Sequence, residues 1–593
     1  MGFALAARLP YFTRSDFPLN DGGLFVAMSR DLLAGHFALP ASTSYNAEHI
    51  PFAYPPLAFY IVAGTTALTG VDPLVLARWL PLVANLATVV CVAQLARSIL
   101  RPGWAATLAA VVFALLPRSY EWVIMGGGLT RSIGYLAAVA CVSQAVHLAR
   151  SPGRWRVGLC SVVAGLALAS HLEEGLFALY SLALVLLCFG GGMRSVLTSA
   201  IVGVGAALLT APWWATVIAY HGLAPFQAAS LTSGWTTPGT LLAAVGEFLA
   251  PRSLPLSVIG SLGVLGAGLC LVRREPFLPV WLLAIFVLTP RSAPTQAVLP
   301  LALLTSLAAA ELVVPRLARD VQQAGGVMGG FRGPVVAQIG QLLGMDNGRL
   351  VASTLMLLMV LGGVYRIWPR LPLEPFTLDS LSPGERDGMA LLANRTGPND
   401  PVLVLSTTES WEEDMAGEWF PVLANRQSVL TPQGAEWLPD NLHARKVCLF
   451  QKVREVAPWG ISDLDTWASE RGVVFSAVYI SKVPRGPIDW EPVVRSARTS
   501  PDYTVLLDTP AAAVLRRASP ITPRWKESGE FVVASDCASL ADQPMATVAI
   551  FDGVFGSRAA QAWVQQHESA GPTRPTLTRR FGQIGSTLPR FGI

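Results

Sequence analysis

The chain has 593 residues, of which 52% are hydrophobic and 14% are charged, and its mean hydropathy is +0.47. Soluble proteins carry about 25% charged residues, so a series of soluble domains is excluded and much of the chain must lie in lipid. Residues 1–373 contain 22 of the 43 basic residues but only 13 of the 39 acidic residues. The net charge of +4 is therefore the sum of a positive membrane part and a negative remainder, and it does not indicate nucleic-acid binding.

Residues 1–373 contain repeated apolar runs close to the roughly 20 residues that cross a bilayer, and they predict a transmembrane domain of about ten spans. The predicted spans are 74–97, 104–124, 130–150, 157–175, 176–192, 195–219, 254–272, 276–291, 294–314 and 350–368. Gly2–Phe12 is apolar but too short to cross, and we interpret it as the end of a first span that is missing. Residues 56–70 predict an interfacial helix, with a further crossing as the alternative.

The loops between these spans differ in their arginine content, which predicts the orientation of the chain. One set of loops carries most of the arginines, among them Arg97, Arg150 and Arg273, and this set should face the cytoplasm. Residues 1–73 and 369–593 then lie outside the cytoplasmic membrane.

The first outer loop, residues 13–56, carries two candidate catalytic carboxylates, Asp16 and Asp21. Asp21 stands directly before an amphipathic segment with apolar residues at helical spacing, such as Leu24 and Met28. In that position a carboxylate can cap exposed N–H groups. The alternative is that Asp21 faces a reaction chamber at the membrane surface.

Short motifs begin at Asp21 and follow one another in an order that fits one topology. They are Asp21 with Phe25, Gly35-His36-Phe37 through Pro40, Tyr54-Pro55-Pro56-Leu57 through Tyr60, Ala77-Arg78-Trp79-Leu80-Pro81, Ser170-His171-Leu172-Glu173-Glu174-Gly175, and Ala211-Pro212-Trp213-Trp214. Over residues 10–320 the chain resembles the GT-C superfamily of integral-membrane glycosyltransferases, in particular the protein O-mannosyltransferases and the lipid A aminoarabinose transferases. The chain departs from many members at Asp21-Gly22, where they have Asp-Glu.

This resemblance implies an α-helical polytopic membrane protein with a GT-C-like fold, in the cytoplasmic membrane of a bacterium. It implies transfer of a hexosyl or pentosyl group, with inversion, from a polyprenyl-phosphate donor to an envelope glycan, lipid or protein. Asp21 would be the general base that activates the acceptor hydroxyl, and Asp16 is its rival. The alternatives are a transporter or flippase of lipid-linked sugars and a non-catalytic glycan-binding protein of envelope assembly.

Outward-facing arginines are the candidates for holding the donor phosphate, because a guanidinium group binds two phosphate oxygens at once. We select Arg131, which follows three glycines at the mouth of a span, and then Arg78 and Arg291. The alternative for Arg131 is that the glycines form a tight turn and the side chain extends to lipid phosphate.

Sugar and acceptor binding is predicted for six residues near the outer surface: His49, Tyr54, His171, Glu173, Glu174 and Trp214. Ionisable groups at the end of an apolar span are functional candidates, although Glu173 and Glu174 would equally suit the aqueous turn of a hairpin. Trp214 would equally suit the aromatic belt at the membrane interface. No metal site is predicted, since zinc-ligand spacing is absent from the sequence, and a divalent cation near His49 and His171 stays open.

Residues 374–517 predict an extracytoplasmic α/β domain. Short apolar patterns predict strands at 401–406, 473–480, 503–507 and 511–515. Two aromatic segments, 418–421 and 433–439, are interpreted either as loops that bind acceptor glycan or as contacts with the membrane part.

The cysteines form no framework, because five of the seven lie in apolar runs. Cys448 and Cys537 would be able to pair outside the cell, which the sequence alone leaves open. Residues 518–593 read as a tail to which no function is assigned.

Overall fold

The computed structural model describes residues 1–231, 238–249, 254–316, 378–439, 441–521 and 537. The predicted span 350–368 and nearly all of the tail 518–593 lie outside the described residues. Residues 1–316 form a set of packed helices, the helix bundle, and residues 378–521 form a smaller unit with a four-stranded sheet, the α/β region. The predicted combination of apolar membrane helices with a C-terminal α/β unit is confirmed.

The described part of the helix bundle contains sixteen α-helices. They are α1 (Gly2–Thr13), α2 (Gly23–Ala34), α3 (Leu57–Thr69), α4 (Pro73–Ile99), α5 (Gly103–Leu115), α6 (Gly128–Arg150), α7 (Arg154–Ser170), α8 (Leu172–Phe189), α9 (Gly192–Leu209), α10 (Ala211–His221), α11 (Ala224–Ser230), α12 (Pro238–Leu249), α13 (Leu254–Val272), α14 (Phe277–Leu288), α15 (Ala293–Gln296) and α16 (Val298–Ala308). Within the described ranges, five helices are long and apolar enough to cross a membrane: α4, α6, α8, α9 and the run Ala293–Arg316 that contains α15 and α16. The chain is therefore a membrane protein.

Prolines shorten two of the predicted spans. The predicted span 195–219 is divided into α9 and α10, with Pro212 in the first turn of α10. Because proline has no N–H group, it starts a helix more readily than it continues one. The predicted span 104–124 likewise ends as α5 at Leu115, two residues before Pro117.

Helices α4, α6, α7 and α8 pack against one another and supply much of the apolar core of the helix bundle. The side chain of Arg8 in α1 is enclosed beside this core. It donates to Asn85 Oδ1 at 2.6 Å and to the carbonyl oxygen of Ala114 at 2.8 Å. These hydrogen bonds satisfy a guanidinium group that would be costly to bury alone, and they tie α1 to α4 and α5.

The α/β region contains α17 (Pro383–Arg395), β1 (Val402–Leu405), α18 (Met415–Leu423), α19 (Leu442–Arg454), α20 (Ile461–Arg471), β2 (Ala477–Ser481), α21 (Glu491–Ala497), β3 (Tyr503–Asp508) and β4 (Ala512–Arg517). The strands lie in the order β1-β2-β4-β3, with β1 and β2 parallel and the other neighbours antiparallel. Every residue of β1 and β2 is buried, as expected for strands covered on both faces. A disulfide bond joins Cys448 in α19 to Cys537.

Helix α18 fastens the α/β region to the segment between α1 and α2. Trp419 donates through Nε1 to the carbonyl oxygen of Asn20 at 2.7 Å. The hydroxyl of Tyr45 donates to the carbonyl oxygen of Glu418 at 2.7 Å. These buried hydrogen bonds hold α18 directly against the chain around Asp21.

Candidate active site

A cavity of about 390 Å³ lies between the helix bundle and the α/β region. Its ionisable lining residues are Asp21, Tyr54, Arg131, His171, Glu173, Arg291, Glu412, Glu418 and Glu436. Its aromatic lining residues include Phe25, Trp122, Phe226, Trp411 and Trp437. Segments that are far apart in the sequence therefore meet at one pocket that is both polar and aromatic.

Asp21 lies in the turn before α2, and the glycine-rich start of α6 holds its side chain. The N–H group of Gly127 donates to Asp21 Oδ1 at 2.9 Å and to the carbonyl oxygen of Asp21 at 3.0 Å. A Cβ atom at Gly127 would lie 2.3 Å from Asp21 Oδ2, so the approach requires glycine. The glycines of the sequence motif thus position the carboxylate.

The structure explains why glycine follows Asp21 in this chain. Gly22 has a φ of +126°, and a Cβ atom there would lie 2.6 Å from the carbonyl carbon of Gly126. The N–H group of Gly22 donates instead to Glu418 Oε1 at 2.9 Å. The carboxyl group of Glu418 in α18 therefore lies next to Asp21, at a position where residue 22 is a glycine and has no side chain.

The two carboxyl groups have different acidities. Burial raises the pKa of Asp21 to about 6, although the N–H group of Gly127 and the charge of Arg131 act in the opposite direction. Burial also raises the pKa of Glu418 well above its usual value, and the neighbouring charge of Asp21 raises it further. Because two enclosed carboxyl groups resist ionising together, Asp21 is the one that ionises first, near neutral pH.

Arg131 and Arg291 bring positive charge to the cavity from different surroundings. Arg131 belongs to the first turn of α6, and its Nε atom has no hydrogen-bond partner among the described residues. Arg291 precedes α15 and interacts electrostatically with Glu173, Glu436 and Glu412. Arg131 also interacts electrostatically with Asp21 and Glu174, so both arginines offset carboxyl groups, and Arg131 in addition keeps an Nε donor for an anionic ligand.

Six of the predicted site residues line the cavity: Asp21, Tyr54, Arg131, His171, Glu173 and Arg291. The hydroxyl of Tyr54 donates to Glu436 Oε1 at 2.7 Å, which links the outer loop to the α/β region. The Nδ1 atom of His171 is buried without a hydrogen-bond partner in the described chain. The structure thus brings these side chains together, while their individual roles stay predictions.

Asp16 and Arg78 lie outside the cavity lining. Asp16 is largely exposed and accepts hydrogen bonds from Arg386 Nη2 at 2.8 and 2.7 Å. Arg78 donates to the carbonyl oxygens of Phe12 and Ser15 and stacks on the ring of Trp79. Both side chains are thereby engaged in holding the end of α1 in place.

Glu174, Trp214 and His49 also lie outside the lining. Glu174 is buried in the bundle and accepts a hydrogen bond from Gln296 Nε2 at 3.1 Å. Trp214 donates through Nε1 to the carbonyl oxygen of Ala207 at 2.9 Å. His49 follows a short helical turn with a left-handed φ of +54°.

The α/β region supplies lining residues to which no site role was assigned from the sequence. They are Trp411, Glu412, Glu418, Gln433, Glu436 and Trp437. Most belong to the aromatic segments 418–421 and 433–439, for which glycan binding and membrane-part contact were alternatives. Trp437 lines the cavity and also packs on the ring of Tyr54 with centroids 4.8 Å apart, so this segment contacts the membrane part, while glycan binding stays a prediction. The sequence feature that could have identified these lining residues is the presence of glutamate and glutamine close to tryptophan in both segments.

A metal centre finds no ready set of ligands in the part of the chain that the structure describes, where no group of three or more His, Cys, Asp or Glu side chains could hold an ion. His49 lies outside the cavity lining, whereas His171 and Glu173 belong to it.

The chain is similar in structure to several solved membrane proteins. ArnT from Cupriavidus metallidurans in its apo state gives a TM-score of 0.48 at 16% identity, covering 86% of this chain and 96% of that one. The oligosaccharyltransferase of Archaeoglobus fulgidus, in complex with Zn and sulfate, gives 0.47 at 12% identity, covering 87% and 72%. The arabinofuranosyltransferase AftD from Mycobacteria gives 0.45 at 16% identity, covering 87% and 41%.

No family model matches the chain, and no curated protein matches it. All three TM-scores are below 0.5, at 12 to 16% identity, so the assignment of a chemistry depends on the site residues themselves.

Proposed function

We propose that the protein transfers a sugar, with inversion, from a polyprenyl-phosphate donor to an acceptor hydroxyl at the outer surface of the cytoplasmic membrane. The observation that carries this proposal is the convergence of Asp21, Arg131 and aromatic side chains in one cavity beside apolar helices. The carboxylate is suited to act as a base, and the guanidinium group is suited to bind a phosphate.

The proposed reaction is a direct displacement at the anomeric carbon. Asp21 accepts the proton of the acceptor hydroxyl while the acceptor oxygen forms a bond to that carbon. The bond from the carbon to the phosphate oxygen breaks, and its electron pair leaves with the polyprenyl phosphate. Arg131 stabilises the negative charge of this leaving group, and attack from the opposite face inverts the configuration.

The α/β region supports an acceptor that is an envelope glycan, lipid or protein with hydroxyl groups. Trp411, Trp437 and Phe226 supply ring faces in the cavity, and Gln433 supplies an amide for hydrogen bonds. Flat apolar faces beside polar groups suit a sugar ring, which is apolar on its faces and polar at its edge.

The disulfide bond between Cys448 and Cys537 supports the proposed location of the α/β region. Disulfide bonds persist in oxidising compartments and are rare in the cytosol. The bond therefore agrees with the arginine distribution, which predicts that this part of the chain lies outside the cytoplasmic membrane.

The test compares two aspartates in the full-length protein, reconstituted in liposomes with a polyprenyl-phosphate sugar and membrane acceptors. Asp21→Asn keeps an oxygen for the N–H group of Gly127 but removes the base, so we expect turnover to fall by at least about 100-fold. Asp16→Asn alters an exposed carboxylate outside the cavity and should leave turnover within about twofold.

Retained turnover in Asp21→Asn would contradict Asp21 as the base. Absence of turnover by the wild type with every donor would contradict the transferase proposal. Flux of lipid-linked sugar across the same liposomes would then support a transporter, and glycan binding without flux would support an assembly protein.

A further inference from the structure

Two carboxyl groups from distant parts of the chain, those of Asp21 and Glu418, lie beside the peptide bond that joins Asp21 to Gly22 in the cavity. On one side of the peptide, Asp21 is held through Oδ1 by the N–H group of Gly127 at 2.9 Å. On the other side, Glu418 Oε1 accepts the N–H group of Gly22 at 2.9 Å. Both side chains line the cavity, and Glu418 is only 4% exposed.

Building on the proposed function, we infer that Asp21 and Glu418 act as a carboxyl pair that carries one proton in total before the substrate reacts. Asp21 is the ionised base, and Glu418 is the protonated partner that donates a hydrogen bond to a substrate oxygen in the cavity. During transfer the acceptor proton moves to Asp21 and Glu418 keeps its own, so the pair holds two protons until one is released to water.

The charged groups around the pair favour this distribution of the proton. Arg131 from α6 lies near Asp21 and favours its ionised form. Glu418 has Asp21 and Glu436 as acidic neighbours, which favour its neutral form. Tyr45, which packs on Glu418 from the outer loop, donates its hydroxyl to the backbone carbonyl oxygen of Glu418 and not to its carboxyl group.

Hydrogen bonds from backbone N–H groups favour the ionised form of both Asp21 and Glu418. Gly127 stabilises ionised Asp21, and Gly22 and Leu24 stabilise ionised Glu418. Because both carboxyl groups receive such hydrogen bonds, the cation beside Asp21 and the anions beside Glu418 decide which of them carries the charge.

Close backbone packing fixes the pair in its arrangement. A Cβ atom at Gly23 would lie 2.5 Å from the carbonyl oxygen of Glu418. Trp419, the next residue, donates to the carbonyl oxygen of Asn20 at 2.7 Å. Glu418 therefore reaches Asp21 through a rigid contact between α18 and the chain around α2, so that the α/β region completes the site.

The first test of the pair requires no turnover. Infrared difference spectroscopy on liposomes detects the C=O stretch of protonated carboxyl groups. At pH 7 we expect this band in the difference between wild type and Glu418→Gln, and not in the difference between wild type and Asp387→Asn, which changes an exposed carboxylate of α17. Absence of the Glu418 band at pH 7 would overturn the proposal.

Coupling between the two groups is tested with Asp21→Asn. Removal of the neighbouring charge should make the Glu418 band disappear at a lower pH than in the wild type. The glutamate would titrate at the same pH in both proteins if the groups were independent, and that result would also overturn the proposal.

The second test is the pH profile of kcat/KM for sugar transfer. We expect the wild type to lose activity at alkaline pH as Glu418 ionises. Glu418→Gln, whose amide N–H can still donate, should lose this alkaline fall while kcat/KM drops about tenfold. An unchanged alkaline fall would mean that Glu418 has only a structural role. If the wild type transfers no sugar, the proposed function fails and the infrared measurements still decide the pairing.

Discussion

Asp16 and Asp21 show how surroundings decide what a side chain can do. The hydrogen bond from Arg386 lowers the pKa of exposed Asp16, whereas burial raises the pKa of Asp21 to about 6. An aspartate that is ionised at all physiological pH values and tied to an arginine is a poor proton acceptor. Asp21, which exchanges its proton near neutrality, is a better one.

The pH dependence of transfer follows from this raised pKa. A base must be deprotonated to act, so kcat/KM should fall about tenfold per pH unit below pH 6 and level off above it until the alkaline fall expected from Glu418 begins. The measurement is a pH profile in proteoliposomes at subsaturating donor. An acid limb centred near pH 4, the usual range of an aspartate, would indicate that Asp21 is not the base.

Substitution of Arg131 should weaken use of the donor. Arg131→Gln removes a charge-assisted contact with phosphate worth about 1.5–3 kcal/mol, so we expect kcat/KM for the donor to fall about 10- to 100-fold. Arg194→Gln, in the exposed first turn of α9, should leave it unchanged. Initial rates at varied donor concentration provide the check, and equal kinetics for the two variants would exclude Arg131 from phosphate binding.

Part of the site could be predicted from single residues. Asp21, Arg131, His171 and Glu173 stand at the ends of apolar or amphipathic segments, where hydropathy shows that polar groups meet the membrane surface. Arg78 stands in a similar position, but its hydrogen bonds to backbone carbonyls depend on tertiary contacts that the sequence does not reveal.

At the scale of elements, α17 is bound to the sheet by an enclosed ion pair. Glu385 accepts hydrogen bonds from Arg485 at 2.6 and 2.8 Å and from Ser481 at 2.5 Å. Burial acts to raise the pKa of Glu385, but the contacts with Arg485 and Ser481 outweigh it and lower the pKa. The pair therefore stabilises the fold at pH values above the pKa that Glu385 has in the unfolded chain. This contribution is lost as the pH falls through the lowered pKa of Glu385 in the folded protein.

Glu385→Gln should destabilise the α/β region by about 3 kcal/mol, because the partly buried charge of Arg485 would lose its enclosed partner and keep only the more exposed Asp379. Urea titration of the full-length protein in detergent, followed by tryptophan fluorescence, measures the change. The control Asp387→Asn on the exposed side of the same helix should shift the unfolding free energy by less than about 0.5 kcal/mol. Similar midpoints for both variants would contradict the prediction.

The type of most elements could be predicted, but not every boundary. Apolar runs and alternating patterns correctly indicate α4, α6, β1 and β4 because burial of those segments depends on local composition. The break between α9 and α10 depends on one proline. The contact of α18 with the outer loop joins residues that are 396 positions apart, and such pairing leaves no local pattern in the sequence.

For the molecule as a whole, the proposed orientation is tested with two matched tryptophans. Trp459, in the loop before α20, and Trp155, in the first turn of α7, are each 73% exposed. In the proposed orientation, a membrane-impermeant maleimide applied to intact cells should label Trp459→Cys on the outer side and spare Trp155→Cys on the cytoplasmic side. Both should react after the cells are opened. Labelling of Trp155→Cys alone in intact cells would reverse the orientation.

The hydrogen bond between Gly22 and Glu418 has a consequence for biogenesis. The ribosome adds 396 residues between these two positions, which takes roughly 20 to 80 s at ordinary elongation rates. Throughout that time the early helices can insert and the aspartate can meet lipid-linked sugars while its partner is still unmade. Under the proposed pairing, the nascent chain therefore lacks the proton donor of the site until translocation delivers Glu418.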